Sequence, residues 1–295
     1  MKMNYISKIK ANMRRYKTIH TTLATSRVLD GSYNSIYKGR SMNFDELREY
    51  IPGDDIKDID WKATSRKQKV MVRQYIAEKK HNIMLVMDTN HRMLADTAEA
   101  EEKREVAIMS AGTLAYLINS NGDYISAIYS TEKSIQHFPF RTGLPNIENI
   151  LNCYHKEVTK DNDSNLEFAL QYIAKNIHRK LILFIVTDLH GISKISDKTL
   201  KQLLLKQDVL VMNISDTKMT GKKVFDVENN DYVPAFISEN KHLSRIEDEK
   251  QKKLMMECEN KLKNNGIAMT TIDNTNEIDT QVISLLEMHK SEKQK

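Results

Sequence analysis

Two aspartates each follow a run of apolar residues that predicts a buried strand. Asp88 follows residues 83–87, and Asp188 follows residues 181–187. In a parallel sheet the carboxyl ends of the strands meet at one edge, so we expect the two carboxylates to lie close together. Neighbouring carboxylates are costly unless a cation or a proton lies between them, and Mg²⁺ suits oxygen ligands of this kind. Two interpretations stay open: a cation site, or two aspartates that merely cap loops.

A serine and two histidines could join this edge. Ser164 and Glu167 have the spacing of a capping box before an amphipathic helix, although the Ser164 hydroxyl could instead face the aspartates. His91 and His190 follow the aspartates closely, so a metal-dependent hydrolase is an alternative to exposed loop histidines. The sequence has no Walker A loop, nucleophile elbow, H-E-x-x-H motif or G-x-G-x-x-G motif, so it gives no other grounds for an enzyme.

Alternating strands and helices must position these residues. The pattern predicts strands near 82–88, 124–129, 181–188, 209–214 and 267–272, and helices over 98–119, 146–154, 166–177, 198–206, 238–264 and 277–289. Strands that alternate with helices indicate βαβ units, and continuous apolar strands indicate a sheet covered on both faces. The predicted fold class is therefore α/β, with a doubly wound, mainly parallel sheet.

Residues 1–80 differ from the rest of the chain because they are polar, irregular and rich in charge. They contain a predicted helix over 3–26 and a predicted strand over 70–76. The change in pattern predicts a domain boundary near residue 80, between an N-terminal extension with short strands and an α/β domain over 81–295.

The composition argues against several classes of protein. A net charge of +5 spread over 295 residues is weaker and less clustered than a nucleic-acid footprint. The two cysteines, Cys153 and Cys258, lie far apart in sequence, which fits a reducing compartment. No apolar run is long enough for a membrane helix. We therefore expect a soluble, cytoplasmic protein with no nucleic-acid partner and no membrane segment of its own.

A long and distinctive run follows the first predicted helix. It reads GRSMNFDELREYIPGDDIKDIDWKATSR over residues 39–66, followed by VRQY over residues 72–75 and by Glu78. The run resembles the signature of the bacterial family called domain of unknown function 58, whose members look like von Willebrand factor A domains preceded by this segment. The resemblance implies a non-enzymatic partner of a MoxR-type AAA+ ATPase, in the assembly, maturation or stress handling of other proteins.

The charged and aromatic residues of the signature allow two roles. These residues are Arg48, Tyr50, Asp54, Asp55, Asp60, Trp61, Arg66 and Arg73. In a structural role, Trp61 would be buried and the arginines would pair with the aspartates and fasten the segment to the sheet domain. In the other role they would form a partner-docking surface, because Trp, Tyr and Arg are the usual anchors of interfaces.

The resemblance also implies a metal-ion-dependent adhesion site, in an altered form. Asp88 and Asp188 match its two aspartates, and Ser164 could stand for its threonine. Asn90 and Arg92 stand where the pattern has serines. Arginine offers only donors and a fixed positive charge, so we expect Arg92 to replace the metal. Weak or absent metal binding and no cofactor are the expectation, with Mg²⁺ as the alternative.

The function predicted from these observations is a protein-interaction module that serves an AAA+ ATPase as an adaptor or recruiter of protein substrates. A metal-dependent hydrolase that uses Asp88, Asp188, His91 and His190 is the alternative from another class. A purely structural scaffold is the third.

Overall fold

The computed structural model describes residues 4–15, 42–77, 80–120, 122–131, 134–217, 225–226, 231–232 and 240–293. In chain order the described elements are α1 (Tyr5–Arg15), β1 (Met42–Glu49), a 3₁₀ turn (Ile56–Asp58), α2 (Trp61–Lys67), β2 (Met71–Ala77), β3 (Asn82–Met87), a second 3₁₀ turn (His91–Leu94), α3 (Lys103–Ser120), β4 (Tyr124–Ser130), β5 (Ile135–His137), α4 (Leu144–Glu157), α5 (Leu166–Asn176), β6 (Ile182–Thr187), α6 (Leu189–Lys194), α7 (Asp197–Leu204), β7 (Asp208–Ile214), β8 (Phe225–Asp226), β9 (Asp231–Tyr232), α8 (Lys241–Asn264), β10 (Ala268–Ile272) and α9 (Ile278–Lys293).

Six strands form the central sheet, in the order β10-β7-β6-β3-β4-β5. All neighbouring pairs are parallel except β4 and β5 at one edge. Every residue of β6 is buried, and so are five of the six in β3. Strands that are apolar along their whole length need cover on both faces, which explains why their sequences do not alternate. The predicted α/β fold with a mainly parallel sheet is confirmed.

The helices divide between the two faces of this sheet. Residues of α5, α6, α7 and α8 share one apolar core with β3, β6 and β7. On the other side α3 contacts α1, α4 and α9 as well as the strands β4, β6 and β7. Because α3 has neighbours around most of its circumference, it is apolar on nearly all sides and buries thirteen of its residues.

The strand order reverses between β3 and β6. From β3 the chain leads to β4 on one side, whereas β6 pairs with the other side of β3. In open α/β sheets the crevice at such a switch point is where ligands bind. Asp88 directly follows β3 and Asp188 directly follows β6, so this crevice lies between the two aspartates.

The first helix belongs to the same compact unit as the sheet. Tyr5 and Ile9 are buried, and the backbone N–H groups of Tyr5 and Ile6 donate hydrogen bonds to the Glu148 carboxylate on α4. This differs from the predicted division at residue 80, which placed the helix with the signature segment. The difference arises because the apolar face of α1 is covered by α3 and α4. Residues 16–26, the remainder of the predicted helix, lie outside the described residues.

The signature segment forms a second compact unit, here called the signature unit, whose described residues are 42–77 and 80. Its strands β1 and β2 pair antiparallel, and a register shift lies between Phe44 and Glu46. The first 3₁₀ turn and α2 occupy the connection between the two strands. The short strands predicted for the N-terminal extension are therefore present.

One helix begins later than predicted. The sequence predicts a helix from residue 98, with Asp96 or Thr97 as its cap, but α3 begins at Lys103. Asp96 instead pairs with Glu102 in an isolated bridge, and Ala100 adopts a positive φ of 58° between them. The turn therefore delays the helix by five residues. No helix in the part of the chain that the structure describes has the length and apolar character to cross a membrane.

Candidate functional site

Asp88 and Asp188 lie at the carboxyl ends of adjacent strands and are both buried. The Asp88 backbone N–H donates to the carbonyl of Val186, so the end of β3 is fixed against β6. Thr187 bridges the two ends, because its hydroxyl donates to Oδ2 of Asp88 at 2.7 Å. The other Asp88 oxygen, Oδ1, accepts the Asn90 N–H at 3.0 Å. Both oxygens of Asp88 therefore accept hydrogen bonds from the protein.

A buried lysine neutralises the second aspartate. Lys103, the first residue of α3, has 2% of its side chain exposed, and Asp188 has none. The Lys103 Nζ atom lies 3.1 Å from Oδ2 of Asp188 and also pairs with Oδ1 of Asp216. Oδ1 of Asp188 accepts the backbone N–H of Gly191 at 2.8 Å and so caps α6. The ammonium group thus lies between two carboxylates.

The charges at this edge shift the pKa values of the two aspartates in opposite directions. Burial raises the pKa of Asp88, and the nearby Asp188 charge raises it further. Burial would also raise the pKa of Asp188, but the charges of Lys103 and Arg92 outweigh burial and hold that pKa below its usual value. Asp188 is therefore the ionised partner of Lys103, whereas Asp88 is held by neutral donors.

Lys103 contacts Asp188 more closely than Arg92 does, so two positive charges lie beside this carboxylate, and replacement of the metal by Arg92 stays a prediction. The Arg92 Nε atom lies 3.6 Å from Oδ2 of Asp188 and makes no hydrogen bond there. The sequence contained a signal for the lysine. Lys103 is spaced by four residues from Ala107, on the same helical stripe as the predicted apolar residues of α3.

Ser164 and Asn90 lie beside the two aspartates and connect the loops around them. The Thr89 hydroxyl hydrogen-bonds to the Ser164 hydroxyl at 2.8 Å, and the Asn90 amide donates to the Ser164 carbonyl at 3.2 Å. The capping box predicted at Ser164 is wrong, since Asn165 caps α5 by accepting the N–H of Glu167. The structure thus brings together Asp88, Asn90, Ser164, Asp188 and Arg92.

The two histidines of the hydrolase alternative do not join the aspartates. His190 is exposed and His91 is half-buried. Among the described contacts, neither imidazole ring forms a hydrogen bond with Asp88 or Asp188. The residues of the hydrolase alternative therefore do not form a hydrogen-bonded cluster in the part of the chain that the structure describes.

The donor set does not fit a divalent metal ion. Two like unit charges about 4 Å apart repel by about 4 kcal/mol at an effective dielectric constant of about 20. An ion bound to Asp188 would meet Lys103 and Arg92, so its entry would oppose two positive charges. The described residues contain no group of three His, Cys, Asp or Glu side chains placed to hold a metal.

In the signature unit, two arginines pair with two aspartates of the same unit. The Arg48 guanidinium forms two hydrogen bonds with the Asp54 carboxylate, at 2.8 and 2.6 Å. The pair with Arg48 and the N–H of Ile51 lower the pKa of Asp54. Arg73 Nε lies 2.9 Å from Oδ2 of Asp60. These pairs connect elements within the signature unit. Attachment of the unit to the sheet by its arginines stays a prediction.

The aspartates of the signature unit also begin its helical turns. Asp55 accepts the N–H of Lys57 and starts the first 3₁₀ turn. Asp60 accepts the N–H groups of Lys62 and Ala63 and starts α2. These hydrogen bonds, followed by the contact with Arg73, lower the pKa of Asp60. The dense acidic pattern of the signature therefore serves local turns and caps.

Trp61 is 66% exposed, which contradicts the prediction that it is buried. It is the first residue of α2, directly after its cap, and Tyr50 and Ile51 are further exposed side chains of the same unit. Arg66 is exposed and, among the residues that the structure describes, pairs with no carboxylate, contrary to the predicted pairing. The signature unit thus presents Trp61, Tyr50 and part of its positive charge to solvent.

Several solved structures align with much of the chain at low sequence identity. The crystal structure of the conserved hypothetical protein BatB from Bacteroides thetaiotaomicron is 12% identical with a TM-score of 0.45, covering 72% of this chain and 99% of that one. The von Willebrand factor type A structure from Catenulispora acidiphila is 8% identical with a TM-score of 0.39, covering 88% and 52%. The SpRpn10 VWA domain is 10% identical with a TM-score of 0.34, covering 69% and 94%.

Curated relatives match part of the chain. The uncharacterized protein Rv1480 of Mycobacterium tuberculosis is 32% identical over 116 residues, which are 39% of this chain and 36% of that protein. The uncharacterized protein YeaD of Bacillus subtilis is 28% identical over 105 residues, 36% of this chain and 24% of that protein. The matches thus span about a third or less of these relatives. The family described as protein of unknown function DUF58 matches residues 46–233, which is more than half of the sequence. The chain belongs to this DUF58 family.

Proposed function

We propose that this protein is a non-enzymatic interaction module that acts as an adaptor, recruiting protein substrates to a MoxR-type AAA+ ATPase. The observation that carries the proposal is the exposure of Trp61, at the start of a helix whose cap is fixed. Tryptophan supplies large contact area with few rotatable bonds, which makes it a frequent hot spot of interfaces. The ATPase partnership is supported by the family resemblance, and the burial of both strand-end aspartates favours an interaction module over a hydrolase.

The charge of the signature unit supports a partner with an acidic surface. Asp54 and Asp60 are occupied by Arg48 and Arg73 within the unit. On α2, by contrast, Lys62, Arg66 and Lys67 are exposed and have no carboxylate partner among the described residues. A tryptophan beside unpaired cations fits an apolar pocket rimmed by acidic side chains.

The place of action proposed here is the cytoplasm, where AAA+ ATPases have their ATP supply. Cys153 and Cys258 are both free, which supports a reducing compartment. We propose that the adaptor acts in the assembly, maturation or stress handling of other proteins.

A direct binding measurement tests the proposal. The full chain would be immobilised, and a purified MoxR-type ATPase from the same host would be titrated with Mg²⁺ and a non-hydrolysable ATP analogue. We expect saturable binding that Trp61→Ala weakens by about tenfold or more, the usual size of a hot-spot loss. Phe168→Ala is the matched control, because Phe168 is 53% exposed on α5 of the sheet unit.

Charge-reversal variants provide a second test of the same binding measurement. Arg66→Glu should weaken the complex and lower its sensitivity to salt, whereas Lys198→Glu on the exposed part of α7 should do neither. A folded wild-type protein that does not bind the ATPase would overturn the partnership. Binding that Trp61→Ala leaves unchanged would instead remove α2 as the docking surface.

A further inference from the structure

The crevice between β3 and β6 contains a positive charge supplied by the chain itself. The Lys103 ammonium lies 3.1 Å from Asp188 and pairs with Asp216 on its other side. Lys103 and Asp188 are almost completely buried, and Asp216 is mostly so. The ammonium supplies one positive charge to the two carboxylates, and the Arg92 guanidinium 3.6 Å from Asp188 supplies a second, so Asp188 needs no further cation.

The second oxygen of Asp188 and both oxygens of Asp88 already accept hydrogen bonds from the protein. Asp188 accepts the Gly191 N–H with its second oxygen, and Asp88 accepts hydrogen bonds from Asn90 and Thr187. A divalent cation would have to displace these donors and remain next to the ammonium. A divalent cation needs several oxygen ligands that are free to coordinate it, and here the lysine makes the donor set unsuitable for one.

We propose that Lys103 is the resident cation of this crevice and excludes divalent metal ions, so that removing its ammonium turns Asp188 and Asp216 into ligands for Mn²⁺ or Mg²⁺. Contacts that the protein makes through this edge are accordingly independent of divalent ions. The inference concerns the chemistry of the crevice alone and does not depend on the proposed ATPase partnership.

The test compares metal binding by the full-length wild type and by Lys103→Ser. Electron paramagnetic resonance of free Mn²⁺ measures binding, and thermal unfolding with and without Mn²⁺ measures its effect on the folded state. We expect no saturable Mn²⁺ binding by the wild type at this edge. Lys103→Ser should bind about one Mn²⁺ and gain about 5 °C or more in Tm at millimolar Mn²⁺, because a ligand bound only to the folded state stabilises it.

Three further variants make the assignment specific. Lys103→Ser/Asp188→Asn should lose the Mn²⁺-dependent rise in Tm, because the Asp188 carboxylate that would bind the ion is absent while the space left by the lysine side chain remains. Lys103→Arg, which keeps the charge, should bind no more Mn²⁺ than the wild type. Arg92→Ser tests the other cation, and Mn²⁺ binding gained by Arg92→Ser but not by Lys103→Ser would assign the exclusion to Arg92 and overturn the proposal.

The wild-type measurement remains decisive even if Lys103→Ser folds poorly. Saturable Mn²⁺ binding by the wild type that Asp188→Asn abolishes would show that the crevice accepts a metal beside the lysine, which is incompatible with the proposal. Lys103→Gln is the second replacement, since its amide can still donate to the carboxylates. A folded Lys103→Gln protein with no Mn²⁺-dependent rise in Tm would equally count against it.

Discussion

The Nζ atom of Lys103 lies 3.1 Å from Oδ2 of Asp188 in a part of the protein that solvent hardly reaches. Burial alone would lower the pKa of Lys103, but the charges of Asp188 and Asp216 outweigh it and raise that pKa above its usual value. Lys103 therefore stays an ammonium ion inside the fold. This pair joins the start of α3 to the end of β6. It places a positive charge of the protein itself beside the Asp188 carboxylate.

Replacing Lys103 by Met should destabilise the protein strongly in metal-free buffer. Removal of one partner of a buried ion pair typically costs about 3–5 kcal/mol, because the other charge stays buried and uncompensated. Urea unfolding would measure the loss. The double variant Lys103→Met/Asp188→Asn should recover part of it, since the uncompensated charge is removed as well. Losses that simply add would show that the two side chains do not interact.

Gly191→Ala should destabilise the protein, although alanine is the better helix former. An ideal Cβ at residue 191 would lie 1.9 Å from Oγ1 of Thr187 and 2.8 Å from Oδ2 of Asp88. Alanine gains about 1 kcal/mol in helix propensity, whereas overpacking costs about 1–3 kcal/mol and the lost Thr187–Asp88 hydrogen bond about 1 kcal/mol more. Thermal unfolding should show a net loss, and Ser193→Ala, on the exposed side of the same helix, should stay close to wild type.

Asp60→Ala should destabilise the first turn of α2 more than Arg73→Ala does. Asp60 accepts two backbone N–H groups at the helix start as well as the Arg73 side chain, whereas Arg73→Ala leaves both cap hydrogen bonds in place. Amide hydrogen exchange checks this ranking. Exchange at Lys62 and Ala63 should be faster in Asp60→Ala than in Arg73→Ala, and equal rates in the two variants would contradict the capping role.

Acidification should lower the free energy of unfolding through protonation of His155, which forms a hydrogen bond with Tyr5 of α1. Burial and the Arg104 charge lower the pKa of His155 in the folded state. In the unfolded chain a histidine titrates near pH 6.5, so the unfolded state takes up the proton first as the pH falls. Stability contributed by the neutral ring is therefore lost as the pH falls below about 6.5 towards the folded pKa.

The measurement is the urea midpoint at pH 7.5, 6 and 5. His155→Gln, which does not titrate there, should lose less stability than the wild type on acidification. His178→Gln is the control, because His178 is exposed at the end of the loop after α5. If the wild type and His155→Gln curves run parallel, His155 is not the titrating group.

The sheet and the meeting of its two aspartates were predictable because buried parallel strands leave a simple pattern. The apolar run that ends at Asp188 coincides with β6 to within one residue. Lys103 was missed because its contact with Asp188 depends on where α3 begins, and the turn before it delays that start. The exposure of Trp61 was not predictable from residue type either, since tryptophan is usually buried.

The docking of α1 has a consequence for chain connectivity. Helix α1 precedes the signature unit and packs on the unit that follows it, so the signature unit belongs to a loop of chain that is closed by contacts such as those of Tyr5 and Ile6 with Glu148. These hydrogen bonds join residues more than 140 positions apart in sequence, so they close a long loop of chain. Loss of the Glu148 carboxylate would open that loop and return its closure entropy to the chain.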